Sequence, residues 1–521
     1  MTLTSTETAQ AVPGVQHPVL VAALVVVVST LFFNFVSGLY GPLPYKGFPI
    51  VGKEPGEWTN KPAMKRFMSK SRQYLKQGLT QFSGPFQLFN PAGVLLVVPP
   101  KYAEEIRNDE RLSFNAWMEK NFFVGYKEFA PFHAVTQGEI MQETVRTKLT
   151  QALGHITGDL SKETTDICNE LLPPSKEWNE SAFYGVATEI AARMSAKVFL
   201  GEPLCRNREL VDISIQFTHD ALKAKMALER VPVPFRPLAA YWIPELKHVR
   251  EIQAKMTKLI LPEVEARRAK KAACEAAGKP VPKPVDSLEW MDSVARGRPW
   301  DFPNAQLLLN FNAIHTTSLT LTHLMYDLVA HPEYIEALRK EIIEVLQEDK
   351  GWKKTSLYKM KLLDSCMKES QRINVQSALF MNRIATAPIT LSDGTKIAKG
   401  TVVAVPTLHM QDGERWPEPM KFDGHRFLRM REQPGNENRW QFVTTSAEHL
   451  GFGHGKHACP GRFFASNEIK IAVAHLLLKY DWQFEGGRPE SVDDGTSQNL
   501  PDAKAKVQFR ARTPEIDIDA L

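Results

Sequence analysis

The sequence of 521 residues predicts a mainly α-helical fold with a small β-sheet region, preceded by a single N-terminal transmembrane helix. Three observations carry that expectation. Helical patterns fill most of the middle of the chain, and the longest runs from Asn304 to Ala330 until His331-Pro332, where the proline both stops one helix and can open the next. Strand signals are short and few: "FQLFNPAGVLLVVPP" reads as two strands around an Asn90-Pro91 turn, and "ITLSDGTKIAKGTVVAVP" as a hairpin turning at Asp393-Gly394. From Val19 to Val36 the chain is apolar except at Ser29, Thr30 and Asn34, close to the roughly 20 residues that a bilayer-spanning helix needs.

The remaining elements follow in order. No basic segment precedes the apolar run and no small-residue cleavage pattern closes it, so it reads as a retained anchor rather than a cleaved signal peptide. Glu7 before it and Lys46 and Lys53 after it place the body on the cytoplasmic side. Residues 1–40 are therefore read as the anchor and 41–521 as one domain. "GPLPYKGFPIVGK" makes a stiff, non-helical connector, the two strands come next, and a helix follows from about Lys101. The charged, then Pro-rich stretch from Arg267 to Pro284 reads as an exposed loop between helices.

Charge and cysteine usage narrow the function. Lys and Arg number 64 against 59 Asp and Glu, a formal charge of +5. That mild excess suits a membrane surface or an acidic partner and is too diffuse to argue for nucleic acid. The five cysteines, at 168, 205, 274, 366 and 459, are odd in number and form no CxxC pair, pointing to neither a disulfide framework nor a zinc site. A reducing compartment is the natural reading.

One cysteine is set apart by its neighbours. Residues 452–461 read "FGHGKHACPG", and beyond Cys459 the residues Ile469, Val473, Leu476, Leu477 and Tyr480 recur at helical spacing. Cys459 thus stands at or just before a helix N-terminus, where the dipole and free N–H groups favour a thiolate. Gly453, Gly455 and Gly461 would let the backbone turn tightly and lie close to a flat ligand. A lone cysteine is most often a small buried apolar residue. As a ligand, it can supply the single axial position of a haem iron.

The ten residues resemble the haem-binding loop of the cytochrome P-450 superfamily, F-x-x-G-x-[RH]-x-C-x-G, with Phe452, Gly455, His457, Cys459 and Gly461 at its fixed positions. The resemblance implies haem b ligated by the Cys459 thiolate, His457 against a haem propionate, and Phe452 packed near the sulfur. In "KESQR", Glu369 and Arg372 share one helix face. With Arg426 of "FDGHRF" they resemble the family's Glu-Arg-Arg cluster, a structural lock on the cysteine loop, although Gly424 and His425 stand where the family usually has proline and glutamate. Such a buried cluster is tolerable only when all its members are paired.

"FNAIHTTS" is similar to the family's oxygen-activating stretch, aligned as Asn312 to Thr317. The resemblance makes Thr316 catalytic, and a threonine there can return its hydroxyl to a carbonyl one turn earlier. His315 replaces the usual acid; it is either a proton relay or an outward-pointing structural residue. Arg146 in "VRTKL" and Arg383 stand where the family places propionate contacts, with Gln142 in place of the usual tryptophan or histidine.

The aromatic-rich "SFNAWMEKNFFVGYKEFAPF" falls where the family roofs its distal pocket, implying an apolar small-molecule substrate. The wording "AIHTTS" and "CPGRFFA" is most similar to membrane-bound filamentous-fungal enzymes of secondary metabolism, including ent-kaurene oxidase-like members. The resemblance therefore implies an endoplasmic-reticulum-anchored haem-thiolate monooxygenase. It would oxidise a terpenoid or related metabolite with O2 and electrons from NADPH through a separate cytochrome P-450 reductase. The alternatives are an oxygen-independent haem-thiolate isomerase or dehydratase, and a non-enzymatic haem-binding protein.

Overall fold

The computed structural model describes residues 41–492 and 497–521, with scattered positions between 21 and 32. The expected anchor thus lies largely outside the described residues. Its described positions are helical, with Leu24, Val26 and Phe32 exposed, and among the described residues no helix is long and apolar enough to cross a membrane.

The helix Phe302–Ala330 is the axis of the body. The Asp301 side chain accepts from the backbone N–H of Asn304 at 3.1 Å, and Pro303 sits in the first turn, so the start is capped and pre-shaped. Buried side chains cover most of its surface, from Leu307, Leu308 and Leu309 to Leu328, which a helix tolerates only when it is wrapped by others. The wrapping helices are Phe183–Phe199, Arg208–Glu229, Pro244–Ala276, Lys361–Ile373 and Arg462–Lys479. It stops at His331, and Pro332 opens the helix Pro332–Asp349.

The sheets are small. Phe86–Asn90 and Gly93–Val97 pair antiparallel; Gly93–Val97 lies parallel to Val402–Pro406, which continues to Leu379–Ala385 and the short Leu112–Ser113. A three-stranded antiparallel sheet joins Asn179–Ala182, Lys506–Ala511 and Tyr480–Gln483. The Asp393-Gly394 turn joins the two-residue strands Ile389–Thr390 and Lys396–Ile397. Beneath the larger sheet, Leu96, Val98, Leu112, Val403 and Val405 pack with Leu450, which brings the segment preceding Cys459 against this lobe.

Two local expectations are corrected. Arg267–Ala276 is helix, the last turns of Pro244–Ala276, and only residues 277–284 leave regular structure. The alanine-rich stretch favours helix, and Arg267 and Arg268 are tied to Asp286 and Asp292 at 2.8 Å each. Tyr480 opens a strand instead of continuing the helix after Cys459; its hydroxyl donates to the Leu172 carbonyl at 2.8 Å.

Candidate functional site

The cysteine loop turns back on itself before the helix Arg462–Lys479. The Cys459 N–H donates to the Phe452 carbonyl at 2.8 Å, and the Gly453 N–H to the Leu450 carbonyl at 2.7 Å. Phe452 is half-buried and meets Phe442 edge-on at 5.0 Å. Gly455 adopts φ +77°, and a Cβ there would stand 2.4 Å from the Arg107 carbonyl oxygen, so only glycine fits. Gly461 is different: its φ is −86°, and a Cβ would meet the Cys459 sulfur at 4.0 Å. The turn at Pro460-Gly461 leads into the helix from ordinary backbone, so it does not call on glycine's left-handed freedom. Burial raises the thiol above its ordinary pKa, while the N–H groups of Gly461 and Arg462 and the Arg462 charge favour the thiolate.

Around this loop lie cations without anions. Arg383 is 5% exposed; it donates to the neighbouring Asn382 carbonyl at 2.7 Å and lies 5.4 Å over the Phe114 ring. It reaches this place through a bulge: the strand shifts register against Val402–Pro406 between Phe380 and Arg383, with Met381 at φ +53°. Burial pushes the Arg383 pKa down to about 10. The His457 ring lies 5.9 Å from Phe114, and its Nε2 is buried without a partner. Burial and the charges of Arg383, Lys456 and Arg146 push His457 down to about 4. Arg146 is exposed on the helical segment Thr144–Leu149, and Arg462 donates to the Val443 and Cys459 carbonyls. Among the described residues, none of Arg146, Arg383 and Arg462 has a carboxylate partner. Gln142 turns its amide to the Val135 carbonyl at 2.6 Å. An unpaired buried guanidinium is costly, so this arrangement suits a dianionic ligand beside the cysteine.

The predicted Glu-Arg-Arg cluster is assembled. Glu369 and Arg372, both fully buried, form a two-pronged pair at 2.8 and 2.9 Å. Arg426 joins through Nε at 3.0 Å. The spare guanidinium hydrogens go to the carbonyls of Met410, Pro419 and Pro417, so every member is paired. Gly424 allows the approach, since a Cβ there would lie 2.7 Å from the Cys366 sulfur and 2.6 Å from the Tyr334 ring.

On the central helix, Asn312 and Thr316 are exposed amid buried and half-buried neighbours, marking the face that borders open space. The Thr316 hydroxyl donates to the Asn312 carbonyl at 2.6 Å. His315 projects from another face. Its Nε2 lies 3.1 Å from the Ile215 carbonyl and its Nδ1 3.3 Å from the Tyr184 hydroxyl, between the helices Arg208–Glu229 and Phe183–Phe199. A carbonyl only accepts, so Nε2 carries the proton and Nδ1 accepts from Tyr184. Burial lowers the His315 pKa and keeps it neutral. The His315 side chain is therefore turned away from that of Thr316, because consecutive helical residues point about 100° apart.

The aromatic segment is more ordered than its sequence suggests, with helices Phe114–Asn121 and Ala130–His133. Phe122 stacks on Phe132 at 4.1 Å, and both meet Phe311 of the central helix edge-on at 5.9 and 5.0 Å. Phe311 was not singled out by the sequence reading, although it is the first residue of "FNAIHTTS". Arg462 and Tyr184 were missed as well; only the position of Arg462, three residues after Cys459, could have signalled it.

The family profile described as Cytochrome P450 matches residues 89–509. The chain is 41% identical over 492 residues to the cytochrome P450 monooxygenase hepE of Aspergillus oryzae, covering 93% of this chain and 89% of that protein. It is 39% identical over 438 residues to cytochrome P450 monooxygenase 1 of Gibberella fujikuroi, covering 83% of this chain and 99% of that one. The solved retinoic-acid-bound cyanobacterial CYP120A1 superposes with a TM-score of 0.61 at 17% identity, over 90% of this chain and 99% of that one, a likeness of fold.

Proposed function

The chain belongs to the cytochrome P450 family and is a cytochrome P450 monooxygenase, and from that premise we propose that it oxidises an apolar small molecule of fungal secondary metabolism, a terpenoid or a related compound. The observation that carries the reading is the set of unpaired cations gathered around Cys459. Haem b fits them: Cys459 would hold its iron, and Arg383, His457 and Arg146 its propionates. When bound, the haem supplies oxygen activation, using two electrons from NADPH through a partner reductase and two protons, so that one oxygen atom enters a C–H bond and the other leaves as water. The N–H groups of Gly461 and Arg462 hold the thiolate. The aromatic roof of Phe122, Phe132 and Phe311 excludes water and orients an apolar substrate. Thr316, whose own proton is turned toward Asn312, accepts from and orders a water that hands protons to the site. His315 pins two neighbouring helices to the central one through Ile215 and Tyr184.

These roles separate in one assay. Thr316→Ala is expected to retain haem and substrate binding while product per NADPH falls about a hundredfold, the usual scale of general acid work, with electrons appearing as peroxide. His315→Ala is expected to lower the Tm with coupling unchanged. Lost coupling in His315→Ala would restore the relay; full coupling in Thr316→Ala would remove the threonine from proton delivery. An oxygen-independent isomerase instead yields product without NADPH, reductase and O2.

The apolar run Val19–Val36 and the lysines after it support an anchor in the endoplasmic reticulum, with the body facing the cytoplasm. Deleting residues 1–40 is expected to move the protein from a carbonate-washed membrane pellet to the supernatant with its haem retained. A full-length chain already in the supernatant would refute the anchor.

A further inference from the structure

We infer that Gln376 reads a hydrogen-bond donor on the substrate, so that the favoured substrate is an apolar molecule carrying a hydroxyl group. This deepens the monooxygenase reading and rests on it. Gln376 follows the helix Lys361–Ile373 and is half-buried, its own carbonyl accepting from the Asn499 N–H at 2.9 Å. Its Nε2 donates to the Thr316 carbonyl and to the Thr320 hydroxyl oxygen, both at 2.8 Å. The Thr316 carbonyl can only accept, which decides which end of the amide faces the helix. Both amide hydrogens are thereby used. The Oε1 atom has no protein partner among the described residues, and it is not sealed away as a buried orphan. Gln376 itself is half-buried, beside the exposed Thr316.

The neighbouring groups have the same polarity. Thr320 turns its hydroxyl hydrogen to the Thr316 carbonyl at 2.8 Å, Thr316 turns its own to the Asn312 carbonyl at 2.6 Å, and Asn312 donates through Nδ2 to the Leu308 carbonyl at 2.8 Å. Donors along this row are spent inward, apart from one amide hydrogen of Asn312, and oxygen lone pairs are left outward. Beside this row, on the same helix, Phe311 meets Phe122 and Phe132 edge-on, so the surroundings are aromatic. An acceptor facing an apolar site is satisfied by an O–H group; an ether or a ketone would set oxygen against oxygen, and an alkyl group would leave Oε1 unpaired.

The probes are imidazoles, whose ring nitrogen ligates haem iron and shifts its absorption, carrying N1-alkyl chains of graded length that end in a hydroxyl, a methoxy or a methyl group. With the full-length haem-loaded protein, the hydroxyl form is expected to bind up to about tenfold more tightly than the methoxy form at the chain length that reaches Gln376. Gln376→Met is expected to bring that ratio to about one while leaving the affinity of the methyl form within about twofold. A merely structural glutamine predicts that all three forms weaken together. The inference is overturned if no chain length separates hydroxyl from methoxy, or if the ratio survives in Gln376→Met. Gln376→Leu removes the same oxygen with a different side chain and is also expected to bring the ratio to about one, so a ratio that survives there overturns the inference even if the methionine variant does not take up haem. Absence of any absorption shift with every imidazole overturns the haem reading itself, and Gln376's role with it.

Discussion

Cys459→Ser is expected to give a folded chain whose NADPH-dependent product formation is at background and whose carbon-monoxide difference spectrum has lost its thiolate signature. A serine hydroxyl stays protonated where the cysteine sulfur would ligate the haem iron as a thiolate. Burial raises the thiol's pKa, and the Gly461 and Arg462 N–H groups and the Arg462 charge act in the opposite direction, toward the anion. The fold should survive. The substitution is small, and the turn is held by backbone bonds, Cys459 N–H to the Phe452 carbonyl and Gly453 N–H to the Leu450 carbonyl. Thermal unfolding of the apo forms should therefore agree within a few degrees, while turnover differs completely. Product formation at the wild-type rate would end the haem-thiolate reading.

Glu369→Gln is expected to have the largest effect on stability. The carboxylate neutralises Arg372, which is fully buried, and Arg426, which is nearly so. The isosteric amide keeps the volume and leaves two buried cations uncompensated, a change of about 3–5 kcal/mol against a total stability of about 5–15 kcal/mol. Soluble, haem-loaded protein should largely disappear. Arg415→Ala is the control: Arg415 and Glu448 are each about half exposed, and a surface pair of this kind contributes about 0–1 kcal/mol. If Glu369→Gln and Arg415→Ala gave equal yields and melting temperatures, the cluster would not be the lock on the cysteine loop.

What the sequence determined by itself is what near neighbours decide. Pro332 ends the central helix and opens the next, and a three-residue spacing puts Glu369 and Arg372 on one face. The "FGHGKHACPG" stretch likewise carries its turn in its own glycines, as the positive φ of Gly453 and Gly455 shows. Where the reading failed locally, at Arg267–Ala276, the partners Asp286 and Asp292 lay beyond the segment being read.

Tertiary structure alone decided the direction and charge state of the side chains that matter. His315 is turned from Thr316 because Ile215 and Tyr184, about a hundred or more positions away, meet its two nitrogens, and burial between their helices lowers its pKa. Arg383 is buried because a bulge at Met381 shifts the strand register, and Gln376 faces Thr316 across 60 positions. Periodicity names the face on which a residue sits, but a hydrogen bond is set by the partner that packing brings to that face. Such partners come from distant segments, so the polarity of this site follows from how the helices wrap the Phe302–Ala330 axis rather than from any one stretch of sequence.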